Sequence, residues 1–268
     1  YLSALRFLPL LSVVGSRLFY MSESPANKFI ALLVIVAAPF AMGAFFLAWS
    51  PAQQYSITDP RYDGFVAPRS VGDTVENSLR STVSVFCDGR TGPTLGSAWA
   101  VTLDEKKYSK YPYVFITNHH VVEDCIGKNK SLAIARQYQD EVPARIITLD
   151  EENDLAVIVS DLKIPTLKLA NYPPMPGYWT VLVGSADGYE GSVAFGSVLN
   201  TNKTQVLITA NASEGNSGGP VIDNEGRVIG TLTAGAGINQ YNIAMSLDAM
   251  CAKILSCDGE YYWEYDSD

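Results

Sequence analysis

The sequence predicts an all-β domain, either a sandwich or barrels, over residues 76–255. The first of three observations behind this is a series of short runs rich in Val, Ile, Thr and aromatic residues: STVSVF, SAWAVTL, YVFIT, ARIITL, LAVIVS, TVLVG, SVLN, QVLITA, RVIGTLTA and YNIAMSL. Gly, Pro, Asn or Asp separates them, the pattern of strands and turns. Only one stretch in this region, near Leu247–Leu255, reads as helical. Roughly 175 residues exceed one small barrel and accommodate two, here divided at about 76–165 and 166–250.

Before the strands come three segments of different character. Residues 1–28 carry Arg6 and Arg17 around about ten apolar residues, too few to span a bilayer. Met21, followed by SESPANK, reads as a natural start. Phe29–Trp49 is FIALLVIVAAPFAMGAFFLAW, about 21 residues without a charge. At about 1.5 Å per residue it matches the ~30 Å hydrocarbon core, so a transmembrane anchor is expected, and Pro39 is tolerable within it. A cleaved signal peptide is the alternative, although its apolar region usually runs only about 7–15 residues. Lys28 and Arg17 precede the span, and this charge bias places the C-terminal bulk outside the cell.

Residues 50–75 are polar with Pro and Gly and read as a linker. A short helix is expected from Asp73 to Leu79, capped by Asp73. At the other end, residues 256–268 form an acidic aromatic tail expected to be solvated.

The net charge of −9 and pI near 4.7, with no Lys/Arg cluster, argue against a nucleic-acid partner. Four cysteines, Cys87, Cys125, Cys251 and Cys257, lack metal-ligand spacing, and no metal or cofactor is expected. An even count outside the cytoplasm suggests disulfides. Of three pairings, Cys87–Cys125 with Cys251–Cys257 is favoured because Cys125 closely follows the histidine pair; free buried thiols are the alternative.

Three motifs carry chemistry. In Gly215-Asn216-Ser217-Gly218-Gly219-Pro220, flanking glycines let the backbone turn so that the amides of Gly215 and Ser217 point at one spot. A serine becomes a nucleophile when a base takes its proton, and the oxyanion it creates needs such N–H donors. The only two histidines are adjacent, His119 and His120, in TNHHVV after the apolar run Tyr113–Ile116. Asp154 heads the apolar run LAVIVS, where an acid is costly without a partner and suited to orient a histidine. Asp150, Glu151 and Glu152 in the preceding turn read as solvated charges.

The ordered set TNHHVV, DLAVI and GNSGGPV resembles the trypsin-like serine peptidases of chymotrypsin fold, closest to their bacterial HtrA-like branch. The resemblance covers about Val75 to Leu255 and selects His120 over His119. It implies two six-stranded antiparallel β-barrels with the site between them, hydrolysis of polypeptides by Ser217, His120 and Asp154, and an oxyanion hole at Gly215, Asn216 and Ser217. It also implies that Thr233 sits behind Asp154 and His120, that Ala234 and Gly235 offer backbone to an extended peptide, and that Asn211 lies at the base of the primary specificity pocket. With Asn211 uncharged, Lys or Arg before the scissile bond is not expected, and a small or medium apolar residue is preferred. Two departures stand out. Asn216 replaces the acid that pairs with a freed N-terminus in digestive members, so no such activation step is expected. Only about a dozen residues follow the barrels, so no PDZ domain is expected. A catalytically silent relative that only holds peptides is the alternative.

Overall fold

A computed structural model describes residues 25–48, 63–89, 92–103, 106–127, 131–235, 241–257 and 260–263. The chain divides into two compact units, Tyr1–Asp59 and Pro60–Asp268. The first contains helix α1, Pro25–Ala48, with Pro39 inside it. Leu32, Leu33, Val34, Val36, Phe40 and Met42 are exposed on α1. Among the described residues no helix is long and apolar enough to cross a membrane. Residues 1–24 and 49–62, including the expected start at Met21 and the first half of the expected linker, lie outside the described residues.

In the second unit the end of the expected linker is docked. The Trp179 amide donates to the Gly64 carbonyl (2.7 Å) and Asn224 Nδ2 donates to the carbonyls of Asp63 (2.9 Å) and Val66 (2.8 Å). Phe65 meets Tyr178 edge-on at 4.9 Å. Helix α2, Val71–Arg80, begins earlier than the sequence suggested. Its cap is Ser70, whose hydroxyl accepts from the Asp73 amide (3.3 Å). Asp73 occupies the first turn and Arg80 the last, each complementing the helix dipole.

The first barrel closes in the order β1-β2-β3-β6-β5-β4. These strands are β1 (Thr82–Asp88), β2 (Pro93–Val101), β3 (Val114–Thr117), β4 (Ser131–Ala135), β5 (Val142–Asp150) and β6 (Leu155–Ser160). Every residue of β3 and β6 is buried. The period-two side-chain alternation explains why these strands are apolar throughout. Phe115, Ala156 and Ile158 point into the barrel's own core, with Val83, Val85 and Ile134. Val114, Ile116, Leu155, Val157 and Val159 point the other way, into a core shared with the second barrel. Trp99 joins that shared core, and its indole N–H donates to Thr231 Oγ1 (3.1 Å).

The second sheet runs β11-β8-β9-β10-β13-β12-β7, and pairing of β11 with β12 closes six of its strands into another antiparallel barrel. Its members are β7 (Lys168–Leu169), β8 (Trp179–Gly184), β9 (Ser192–Thr201), β10 (Gln205–Ile208), β11 (Pro220–Ile222), β12 (Arg227–Gly235) and β13 (Asn242–Ser246). Strand β7 attaches in parallel to β12 outside the closed ring. Both barrels therefore match the architecture implied by the resemblance. Strands β4, β7 and β11 were not read from the sequence: β7 has two residues, and β11 is hidden behind the Gly-Gly of the serine motif.

Four expectations are corrected. Helix α3, His119–Val122, is present where no helix was anticipated, and the C-terminal helix α4 spans only Leu247–Met250. Asp150 is fully buried at the end of β5, held by Asn153 Nδ2 (2.8 Å) and Lys253 Nζ (3.3 Å), so it is not a solvated charge. Of the tail, Trp263 is buried in the shared core, and its amide and that of Tyr262 donate to Asp248 Oδ1. An indole gains enough from apolar burial to anchor an otherwise polar end. Disulfides join Cys87 to Cys125 and Cys251 to Cys257, the favoured pairing.

Candidate active site

The site is assembled from three turns that the two barrels bring together. On the first barrel β3 ends at Thr117, and Asn118 caps α3 in extended conformation. Asn118 is buried, and its Nδ2 donates to the Asp154 carbonyl (2.8 Å), tying the histidine's helix to the acid's backbone. His120 then meets Asp154 twice. Its amide donates to Oδ1 (3.0 Å), and Nδ1 lies 2.8 Å from Oδ2. His119 faces away, with Nδ1 3.8 Å from Glu123 Oε2. Asp154 itself sits at φ +50°, a left-handed conformation that Asp tolerates better than most residues.

The second barrel contributes the third partner of this carboxylate, Thr233, whose hydroxyl donates to Asp154 Oδ2. Burial alone would raise the Asp154 pKa. Hydrogen bonds from the His120 side chain, Thr233 and the His120 amide, with attraction to His120, outweigh it and hold the carboxyl below its ordinary value. Such a carboxylate fixes Nδ1 as the protonated nitrogen and leaves Nε2 as the acceptor.

Ser217 follows a tight turn in which the Asn216 amide donates to the Ser213 carbonyl (3.2 Å) and Gly215 takes φ +89°. A third turn residue at positive φ is the signature of type II and calls for glycine. Two peptide planes are then pinned by their carbonyls. Glu214 O accepts from the Asp187 amide (2.7 Å), and Asn216 O accepts from the Gly219 amide (2.9 Å). Because N–H and C=O of one trans peptide point oppositely, the amides of Gly215 and Ser217 are turned away from those donors. Neither has an acceptor among the described residues. The Ser217 hydroxyl hydrogen-bonds the Thr233 carbonyl (3.4 Å) and not the imidazole. His120, Gly215 and Ser217 line one open cavity of about 730 Å³.

Ser97, which the sequence analysis did not single out, holds this turn against the first barrel. It is fully buried on β2. Its amide donates to Ser217 O (2.7 Å), its hydroxyl to Gly215 O (2.7 Å), and its carbonyl accepts from Thr117 Oγ1 (2.7 Å). A serine inside an apolar strand is the one signal that pointed to it, since a buried hydroxyl needs partners. Ala234 and Gly235 pair through β12 with Ile243 and Asn242. Asn211 is exposed and lines a different cavity, of about 220 Å³, with Asn216 and Asp187. Asn216 is buried, and its Oδ1 accepts from Ser192 Oγ (3.4 Å). Among the described residues no group of acidic, His or Cys side chains could hold a metal ion.

Two closed antiparallel barrels, with a histidine–carboxylate pair on one facing a serine turn on the other, define the chymotrypsin-like architecture of serine peptidases. The chain belongs to the trypsin-like peptidase domain family, whose model matches residues 96–230. A probable periplasmic serine endoprotease, DegP-like, from Chlamydia muridarum is 35% identical over 130 residues, which are 44% of this chain and 25% of that protein. The chain thus spans about a quarter of the length of the curated relatives it matches. Among solved structures, the serine endoprotease from Yersinia pestis is similar with a TM-score of 0.57 at 22% identity, covering 68% of this chain and 64% of the other. The active form of the Rv3671c protease from M. tuberculosis gives 0.57 at 17% identity, covering 70% and 86%. At these identities the structures establish likeness of fold.

Proposed function

We propose that the chain is a membrane-anchored, extracytoplasmic serine endopeptidase acting through Ser217, His120 and Asp154. The observation that supports this reading is the shared cavity, which Ser217 lines together with Gly215 and the Asp154-bound His120, while the amides of Gly215 and Ser217 have no acceptor among the described residues. Rotation about χ1 of Ser217 moves its hydroxyl from the Thr233 carbonyl toward Nε2. His120 takes the hydroxyl proton as Ser217 attacks the substrate carbonyl. The Gly215 and Ser217 amides receive the oxyanion, His120 returns the proton to the departing amine, and water releases the acyl-enzyme. The carboxylate of Asp154 holds the imidazole in register and offsets its transient positive charge. Thr233, Ala234 and Gly235 would present the β12 edge to an extended acyl-side peptide, with Asn211 contributing to a pocket for a small or medium apolar residue.

The anchor reading rests on the uncharged run Phe29–Trp49, part of whose side chains lie outside the described residues, and on the exposed apolar side chains of α1. Extracytoplasmic action is supported by the two disulfides and by the periplasmic designation of the relatives. A silent peptide-binding module is the second reading, favoured by the Ser217 hydroxyl being turned to Thr233. A fluorophosphonate probe and casein separate the two. The peptidase labels at Ser217 and degrades casein, and Ser217→Ala loses both. Folded wild-type protein that neither labels nor cleaves refutes the peptidase.

A further inference from the structure

Among the described residues, the cavity that holds Ser217 is lined by two ionisable side chains besides His120, Asp187 and Glu214, and by no Lys or Arg. Both acids are exposed, and neither side chain makes an ion pair or hydrogen bond among the described residues. Their placement is nevertheless fixed. Asp187 occupies the left-handed region at φ 50°, ψ 30°, and its amide donates to the carbonyl of Glu214 (2.7 Å). The neighbouring Ala186 amide donates to Ser192 Oγ (2.7 Å). One backbone hydrogen bond therefore holds these two residues side by side, and both line the cavity with Pro93, Thr94 and Leu95 of β2.

The chemistry of the site says which part of a substrate meets these two acids. His120 delivers its proton to the departing amine, so the residues after the scissile bond lie on the imidazole's side of Ser217. His120, Val121 and the β2 start line the cavity, whereas no described side chain of β12 does. We infer that Asp187 and Glu214 are specificity-determining residues that favour a lysine or arginine within the first two positions after the scissile bond. This rests on the peptidase reading above; of the two acids, Asp187 also borders the Asn211 cavity, whereas Glu214 lines the Ser217 cavity and not that one.

The test uses the full chain in detergent micelles with matched quenched peptides carrying Lys, Ala or Glu at the first or second position after the cleaved bond. Two half-solvated attractions predict kcat/KM for Lys above Glu by roughly three- to tenfold at low salt, shrinking as salt screens them. In Asp187→Asn with Glu214→Gln the ratio falls toward one; Asn accepts the left-handed backbone, so the backbone hydrogen bond survives and only charge is lost. Equal rates for Lys and Glu peptides in a chain that labels with fluorophosphonate overturn the inference and spare the peptidase reading. So does a ratio that persists in the double variant. Binding of the same peptides to the Ser217→Ala chain, followed by anisotropy, decides the matter independently of turnover: equal affinities for Lys and Glu peptides also overturn it.

Discussion

Opening the Cys87–Cys125 disulfide should cost more than opening Cys251–Cys257, and only the first should disturb the histidine. The bridges close loops of very different length, with sequence separations of 38 and 6. Loop-closure entropy in the unfolded chain then assigns them about 3.9 and about 2.2 kcal/mol at 25 °C. The gap of about 1.7 kcal/mol widens because Cys87 and Cys125 are buried in the first barrel's core, where truncation also forfeits packing. Cys125 ends the 3-10 turn Glu123–Cys125 that directly follows α3. Its bond to β1 therefore tethers the C-terminal side of the segment carrying His120, whose N-terminal side continues from β3. The assay compares Cys87→Ala/Cys125→Ala with Cys251→Ala/Cys257→Ala by urea unfolding, read from the buried Trp99 and Trp263, and by the rate of fluorophosphonate labelling. The expected result is a larger loss of stability and slower labelling in the first pair, with labelling near wild type in the second. Equal losses, or a larger loss at Cys251–Cys257, would refute the loop-length argument. Unchanged labelling in a destabilised first pair would refute the tether.

Thr233→Val removes one of the hydrogen bonds to the Asp154 carboxylate and should cost about 1–2 kcal/mol, with labelling slowed roughly tenfold and restored by Thr233→Ser. Gly218→Ala should cost about 3 kcal/mol or more, seen as a lowered urea midpoint. Its φ is +87°, and a methyl there would lie 2.0 Å from the Ser97 carbonyl oxygen, a backbone atom that cannot swing aside. The lowered pKa of Asp154 means that the unfolded state binds its proton first as pH falls. Its contribution to stability is therefore complete above the unfolded value near 3.8 and is lost as pH drops through the lower folded value. Urea midpoints of wild type and Asp154→Asn should differ by a constant amount from neutrality to about pH 5 and converge below about pH 4; a gap that widens on acidification contradicts the sign.

What could be read in the sequence and what could not divide along the range of the interactions involved. The runs VFIT and LAVIVS were legible as strands because β-branched residues between turns are a local signal. Which face each residue took was not legible, since β3 and β6 are buried on both sides and the alternation between two cores leaves no polar face to read. The cap of α2 was misplaced for a local reason, because Ser70 and Asp73 are both cap formers and only the backbone shows which one accepts. Asp150 and Trp263 were misjudged for a distant one: Lys253 reaches Asp150 across the chain, and Asp248 holds the amide of Trp263.

The candidate site shows the same division more sharply. Asp154, Ser217 and the His119–His120 pair announced themselves through side-chain chemistry within short motifs, and the family resemblance selected His120. The conformation that suits the serine turn to an oxyanion depends instead on backbone groups supplied from elsewhere. Ser97 grips the carbonyls of Gly215 and Ser217 from the other barrel, and the Asp187 amide turns the 214–215 peptide. Neither partner needs a distinctive side chain for its backbone bonds, so composition alone carries no trace of the Asp187 contact. The candidate residues are thus named by the motifs and the resemblance, while their geometry is set by the contact between the barrels. Substitutions at that contact, more than those at the cleft rim, should separate a folded chain from an active one.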